Sequence, residues 1–214
     1  MPQTDEFRNA LESEAADYAV SLSTAALDGL SQYYELLQRW NSRVHLVAPC
    51  TPREFAMRHI LESLILLKHL PPNAGIVEVG AGAGLPILPC LIVRPDLRAV
   101  LIEASKKKAV FLREALIHTG IHTGIHTGTA ARASVIDERF ESIVAPQFGF
   151  VTCRALERFE EMLPHLLEWA PGKATLLLFG GKRLETRIEN AGFKLAAELI
   201  PHSKNRFLFV VNKP

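Results

Sequence analysis

Apolar side chains recur every three or four positions between Thr24 and Trp40, where Leu27, Leu30, Tyr34 and Leu37 fall on one face of a predicted helix. A second helical segment, TPREFAMRHILESLILLKHL, starts at Thr51 and puts Phe55, Ile60, Leu61, Leu64 and Leu67 toward a core. Its start is signalled by Thr51 as a cap, Pro52 at the first helical position and Glu54 at capping-box spacing. Pro71, Pro72, Asn73 and Gly75 then stop the helix and make the one clear linker. The expected organisation is a helical segment, residues 1–72, packing on a larger domain, residues 73–214.

From Ile76 the pattern changes. Ile76, Val77 and Val79 form a short β-branched run bounded by Gly75 and Gly80, which predicts a buried strand. A helix from about Leu85, a strand from Arg98 to Glu103 and the helix KKKAVFLREALI follow, then a short strand near Thr129 to Ala133. FGFVTCRA predicts the next strand, Leu156 to Trp169 a helix, ATLLLFGG a strand and RLETRIEN a short helix closed by Gly192. FKLAAELI and RFLFVV are so close in sequence that they should pair antiparallel. The alternation predicts an α/β fold with a Rossmann-like, mostly parallel sheet and an antiparallel last hairpin, binding its ligand outside the carboxyl ends of the central strands.

Composition adds limits. With 214 residues, 48% hydrophobic and 22% charged, the chain can bury a substantial core and reads as an ordinary soluble protein. No apolar run approaches eighteen residues and the N-terminus MPQTDEFRNALESE is acidic, so a cytoplasmic location is expected. Cys50, Cys90 and Cys153 are odd in number and widely spaced, which predicts small buried hydrophobes and neither a disulfide nor a zinc site. The net charge of +1 hides an acidic first third and a basic remainder. Lys106, Lys107 and Lys108, then Lys182, Arg183 and Arg187, then Lys204 and Arg206 are clusters that suit phosphates or solvated helix ends alike. IHTG occurs three times between Ile117 and Gly128, bringing His118, His122 and His126 into helical spacing. Glycine at every fourth position disfavours that helix by about 1 kcal/mol each relative to alanine. The tract reads as a duplicated surface loop, with no metal expected.

The candidate chemistry sits after the first strand. Gly80, Gly82 and Gly84 alternate with alanine, so the main chain can turn sharply and a ligand can approach it closely. Glu103 stands nineteen positions beyond Gly84, about the offset at which an acid accepts hydrogen bonds from a ribose diol. A dinucleotide fold carries GxGxxG and receives a pyrophosphate there, which Glu78 on the strand would repel. The same carboxylate suits a cofactor with a cationic amino group and no phosphate, as in S-adenosyl-L-methionine.

Taken in order, LLQRWN at 36–41, RHILESL at 58–64, EVGAGAGLP at 78–86, EASKKKAVFLRE at 103–114 and TCRAL at 152–156 resemble the RsmG family, also called GidB. These are bacterial methyltransferases acting on guanine N7 of small-subunit (16S) ribosomal RNA, and the resemblance covers nearly the whole chain. It implies a class I S-adenosyl-L-methionine-dependent fold and the ribosomal RNA or ribosomal subunit as partner; the sequence itself leads to no expectation of a membrane or of an obligate protein partner. By position it carries cofactor contacts onto Gly80, Leu85, Ala133, Ser134 and Arg154, and a ribose-binding acid onto Glu103. Arg58 and His59 match the family's Arg-His pair and, with Arg154, are the substrate-side candidates. Arg154 suits a substrate phosphate or guanine O6, or an ion pair with Glu78 or Glu103.

The chain also departs from the family pattern. Ile87 replaces a glycine, His45-Leu46-Val47 replaces Asn-Leu-Thr, and Phe179 stands where the family has a lysine. The cofactor turn is intact, so the changes bear on the substrate side. Guanine N7 already has a lone pair and no proton, so its methylation needs positioning rather than a general base. The absence of any Ser-His-Asp, Cys-His or paired-carboxylate motif agrees with that. A methyltransferase of a different acceptor, and a nucleotide-binding module without catalysis, remain the competing readings.

Overall fold

The computed structural model describes residues 2–121, 123, 131–154 and 159–213. Helices α1 (Pro2–Glu14) and α2 (Thr24–Val44) open the chain, and the four face residues expected of α2 are all buried. The segment after Thr51 is not one continuous helix. It runs as α3 (Pro52–Phe55), a π-helical turn (Ala56–Leu61), α4 (Glu62–Leu64) and a 3₁₀ turn (Ile65–His69). The Thr51–Glu54 capping box is formed as expected.

The sheet contains β1 (Gly75–Val79), β2 (Arg98–Ile102), β3 (Ala133–Ile136), β4 (Phe150–Cys153), β5 (Thr175–Gly180), β6 (Leu195–Leu199) and β7 (Phe207–Asn212). Their order is β3-β2-β1-β4-β5-β7-β6, parallel from β3 to β5, with β7 antiparallel to both β5 and β6. The expected hairpin is therefore present, and its second strand is the one that joins the parallel sheet. Helices α5 (Ile87–Val93), α6 (Lys106–His118), α7 (Phe159–Trp169) and α8 (Lys182–Asn190) connect the strands. Successive strand residues face opposite sides, so two apolar layers form. Ile76, Leu101, Leu177 and Leu208 pack with the N-terminal helices, α5 and α6; Val77, Val151, Leu176 and Val211 pack with α7 and α8. Phe7, Leu30, Tyr33 and Leu61 belong to the first of these clusters, so the N-terminal helices and the sheet share one core.

The third strand lies later than expected. It begins at Ala133, where Ala99 of β2 pairs with it, and ends at Ile136 opposite Ile102. Thr129 and Ala130, like His122 and His126 of the IHTG tract, lie outside the described residues, as do residues 155–158 at the expected start of α7. Cys90 and Cys153 are buried and Cys50 half-buried, and none of them is in a disulfide. Going outward from β1, the chain passes to β2 on one side and to β4 on the other. That reversal opens a crevice at the carboxyl end of β1, where ligands of such sheets bind.

Candidate functional site

The crevice begins where β1 stops. Gly80 and Ala81 donate to the Ile102 carbonyl at 2.9 and 3.0 Å, which ties the end of β1 to that of β2. Gly80, Gly82 and Gly84 have φ of 70°, 55° and 81°, a region that favours glycine. A Cβ at Gly84 would stand 3.0 Å from Leu88 and 3.2 Å from Leu112, so this glycine lets the turn pack against α5 and α6. At Gly82 a Cβ would meet nothing closer than the Gly80 carbonyl at 3.8 Å. Glu103 holds the turn from β2: one carboxylate oxygen accepts from the Gly82 N–H at 2.7 Å, the other from the Ser105 N–H at 2.8 Å.

These groups line a cleft of about 520 Å³, within the roughly 300–1,000 Å³ of small-molecule sites. The turn from Val79 to Ala83 and Leu85 form its floor, with Ile102, Glu103 and Ala104 at the end of β2. Lys108 and residues Glu138 to Glu141 close the β3 side. Leu46, Val47, His59, Arg154 and Met162 complete the lining.

Of the sequence-predicted residues, Gly80, Gly82, Leu85, Glu103, His59 and Arg154 meet at this cleft. Glu78 is not in its lining. It precedes the carboxyl end of β1 and shares the Ile76 face, so its side chain is buried beneath the turn, 1% exposed. One Glu78 oxygen accepts from Ile87 N–H at 3.4 Å; the other has no hydrogen-bond partner among the described residues. Burial pushes this carboxyl well above the usual carboxylate range. Ala133 and Ser134 are corrected by the strand register. They open β3 rather than follow it, whereas the cleft lies beyond the strand's other end, at Glu138 to Glu141. Arg58 is exposed, is absent from the lining, and contributes its carbonyl.

That carbonyl accepts from Arg154. The π-helical turn leaves carbonyl groups without their usual α-helical partners, and the guanidinium of Arg154 takes them up. Nη1 donates to His59 O at 3.3 Å and Ser63 Oγ at 3.1 Å; Nη2 donates to Arg58 O and to Glu62 Oε2 at 3.3 Å. The carboxylate that Arg154 meets is thus Glu62, not Glu78 or Glu103, the partners of the alternative ion pair. Glu62 is 1% exposed, and Arg206 Nη2 stands 2.7 Å from its other oxygen, close enough to pair but not aligned as a hydrogen bond. Burial raises the Glu62 carboxyl despite both arginines. Phe179, where the family pattern has lysine, lies with its ring 5.6 Å from the Arg154 guanidinium carbon. His59 sits among these cations, its ring 5.1 Å from that of Phe55 and tilted against it. Burial first, then Arg154, Arg58 and Arg206, push its imidazole down to about 4.

Four contributors were not assigned to this site from the sequence. Tyr33, fully buried on α2, donates to Ala83 O at 2.7 Å inside the glycine turn. Asn41 accepts from Leu46 and Val47 N–H at 2.8 and 3.0 Å and donates to Val47 O, which shapes the loop that reaches the cleft. Glu62 and Arg206 are the others. Asn41 and Glu62 lie inside LLQRWN and RHILESL, the signals that could have found them; for Tyr33, on an ordinary apolar face, no such signal exists.

The sheet order and the cleft at its switch point define a class: the Rossmann-like fold of S-adenosyl-L-methionine-dependent methyltransferases. A solved SAM-dependent methyltransferase from Aquifex aeolicus has this fold, with a TM-score of 0.54 at 16% identity over 70% of this chain and 88% of that one. The chain belongs to the rRNA small subunit methyltransferase G (GidB) family, whose description matches residues 26–208. Ribosomal RNA small subunit methyltransferase G of Halorhodospira halophila is 30% identical over 91% of this chain and 88% of its own length. The Nitrosomonas europaea protein of the same name is 34% identical over 65% of this chain, and the match spans 62% of that protein.

Proposed function

We propose that this chain transfers a methyl group to N7 of a guanine in small-subunit ribosomal RNA. The observation that carries this reading is the cleft itself, built from the family's motifs at the carboxyl ends of β1 and β2. Its groups fit S-adenosyl-L-methionine: open main chain at Gly82, a carboxylate at Glu103 and apolar walls at Ile102, Ala104 and Phe140. When bound, that cofactor supplies an electrophilic methyl group on a sulfonium.

Glu103, fixed by two backbone N–H groups, keeps acceptor capacity for ribose hydroxyls. Ile102, Ala104 and Phe140 would hold the apolar part of that cofactor, and the Gly80 to Leu85 turn would hold its polar remainder. Gly84 and Glu78 act from beneath, shaping the turn and its junction with α5. Arg154 holds the π-helical turn, and with it His59, over the cleft. Residues 1–72 serve as the wall facing the substrate and residues 73–214 as the cofactor-binding body. No group needs to remove a proton from guanine N7, so these residues act by orienting two reactants and excluding water. Such alignment is worth about 7–11 kcal/mol of a barrier. Lys108 and Arg139 at the cleft and exposed Arg58 nearby suit RNA phosphates.

The test is transfer of labelled methyl from S-adenosyl-L-methionine to small-subunit RNA or subunits, with the product read as 7-methylguanosine. An intact N7 mark in cells lacking the gene would refute the reading.

A further inference from the structure

Guanine presents N7 and O6 side by side as acceptors on one edge. A site that methylates N7 must leave that nitrogen free, yet it gains register by donating to O6. Leu46, Val47, His59 and Arg154 are the lining residues supplied by the N-terminal segment and the end of β4. The Leu46 and Val47 N–H groups are engaged by Asn41, and their side chains carry no donor. Arg154 has both terminal nitrogens engaged by the π-helical turn, Ser63 and Glu62. His59 differs. Its carbonyl is engaged by Arg154, but no hydrogen bond reaches its ring nitrogens among the described residues, and its ring is held against Phe55.

We infer that His59 is the residue that recognises the acceptor base, donating a ring N–H to guanine O6 while N7 stays open to the methyl group. The inference rests on the guanine-N7 reading above and adds the residue that sets base specificity. Its surroundings suit the role. Arg58 on the same helix, Arg154 from the end of β4 and Arg206 ahead of β7 all face the imidazole with positive charge, and Glu62 between the two latter arginines is committed to them. The ring is accordingly neutral at physiological pH, with a donor on one nitrogen. A neutral donor matters because N7 methylation makes the purine cationic. An imidazolium in the same place would oppose the charge as it developed.

The experiment compares the full-length chain with H59F, which keeps a ring against Phe55 and removes both nitrogens, and H59Q, which restores a neutral donor. Each acts on small-subunit RNA transcribed with guanosine or with 6-thioguanosine, whose sulfur is a weaker acceptor than O6. Cofactor affinity is measured alongside by calorimetry. H59F should lose about tenfold or more in transfer to the guanosine transcript with cofactor affinity kept. H59Q should recover most of that loss, and the wild-type preference for guanosine over 6-thioguanosine should vanish in H59F. A full rate in H59F, a preference that survives in it, or failure of H59Q to recover overturns the proposal. Binding of the same transcripts with S-adenosylhomocysteine present repeats the comparison without chemistry. A wild type that binds with the preference but transfers nothing would sink the methyltransfer reading and support His59; absence of the preference in binding and transfer would sink the His59 role alone.

Discussion

The phenol of Tyr33, midway along α2, donates a 2.7 Å hydrogen bond to the main-chain carbonyl of Ala83, fifty residues later and inside the glycine turn. An N-terminal helix therefore reaches the floor of the cofactor cleft directly. Tyr33 is fully buried, and the same burial raises its hydroxyl well above the ordinary tyrosine value, so it remains a donor at every physiological pH.

Tyr33→Phe should leave the Ala83 carbonyl without its partner, at a loss of about 1–3 kcal/mol. Urea unfolding measures the stability change, and calorimetric titration should show weaker cofactor binding. Unchanged values in both would mean that the bond does not hold the turn.

The two later glycines should separate folding from binding. Gly84→Ala forces a Cβ to 3.0 Å from Leu88 at a φ of +81°, so a large fall in thermal midpoint is expected. Gly82→Ala meets only the Gly80 carbonyl at 3.8 Å, at φ +55°, and should lose only about 1–2 kcal/mol of stability. Its main effect should be on cofactor affinity, because Gly82 lines the cleft. Equal thermal midpoints for the two variants would contradict this geometry.

Arg154→Met removes one of the two cations beside buried Glu62 and the donors it gives to the Arg58 and His59 carbonyls. Breaking a buried pair in this way destabilises by about 3–5 kcal/mol. Adding Glu62→Gln to that variant should restore part of the loss, since the unpaired charge is then gone. A double variant less stable than the single one would show that Glu62 does not depend on Arg154.

Stability should fall on acidification through His59. Its folded-state value is lowered to about 4, so the unfolded chain binds the proton more readily over the interval between there and the ordinary histidine value. The contribution is fully present above about 6.5 and is lost as pH falls through about 4. His59→Gln should flatten this limb relative to wild type in unfolding curves taken from pH 7 to pH 4. Parallel curves would place the acid sensitivity elsewhere.

The parts of the fold that depend on near neighbours were legible. The apolar stripe of α2, the Thr51 capping box, the run from Ile76 to Val79 and the glycine turn are short-range signals, and each formed where expected. Two local signals were misleading. A four-residue strand carries too few alternations to set its own register, so β3 lies later than the sequence predicts, and Ala133 and Ser134 open it rather than follow it. Glu78 reads as a cleft acid because it adjoins the turn, but the alternation of side chains along β1 sends it beneath the floor.

From the sequence by itself came the α/β alternation, the cofactor turn with Glu103, and the family motifs, because each is written in residues close together along the chain. Tertiary structure alone decided that Arg154 pairs with Glu62, ninety-two positions away, and that Tyr33 braces Ala83. It also decided that His59 stands neutral at the cleft, its ring without a hydrogen bond among the described residues. The physical reason is that a charge or donor takes its partner from whatever the packed helices bring within about 3 Å, and its proton affinity from how much water that packing removes. Neither quantity has a period or a spacing that a linear pattern can carry.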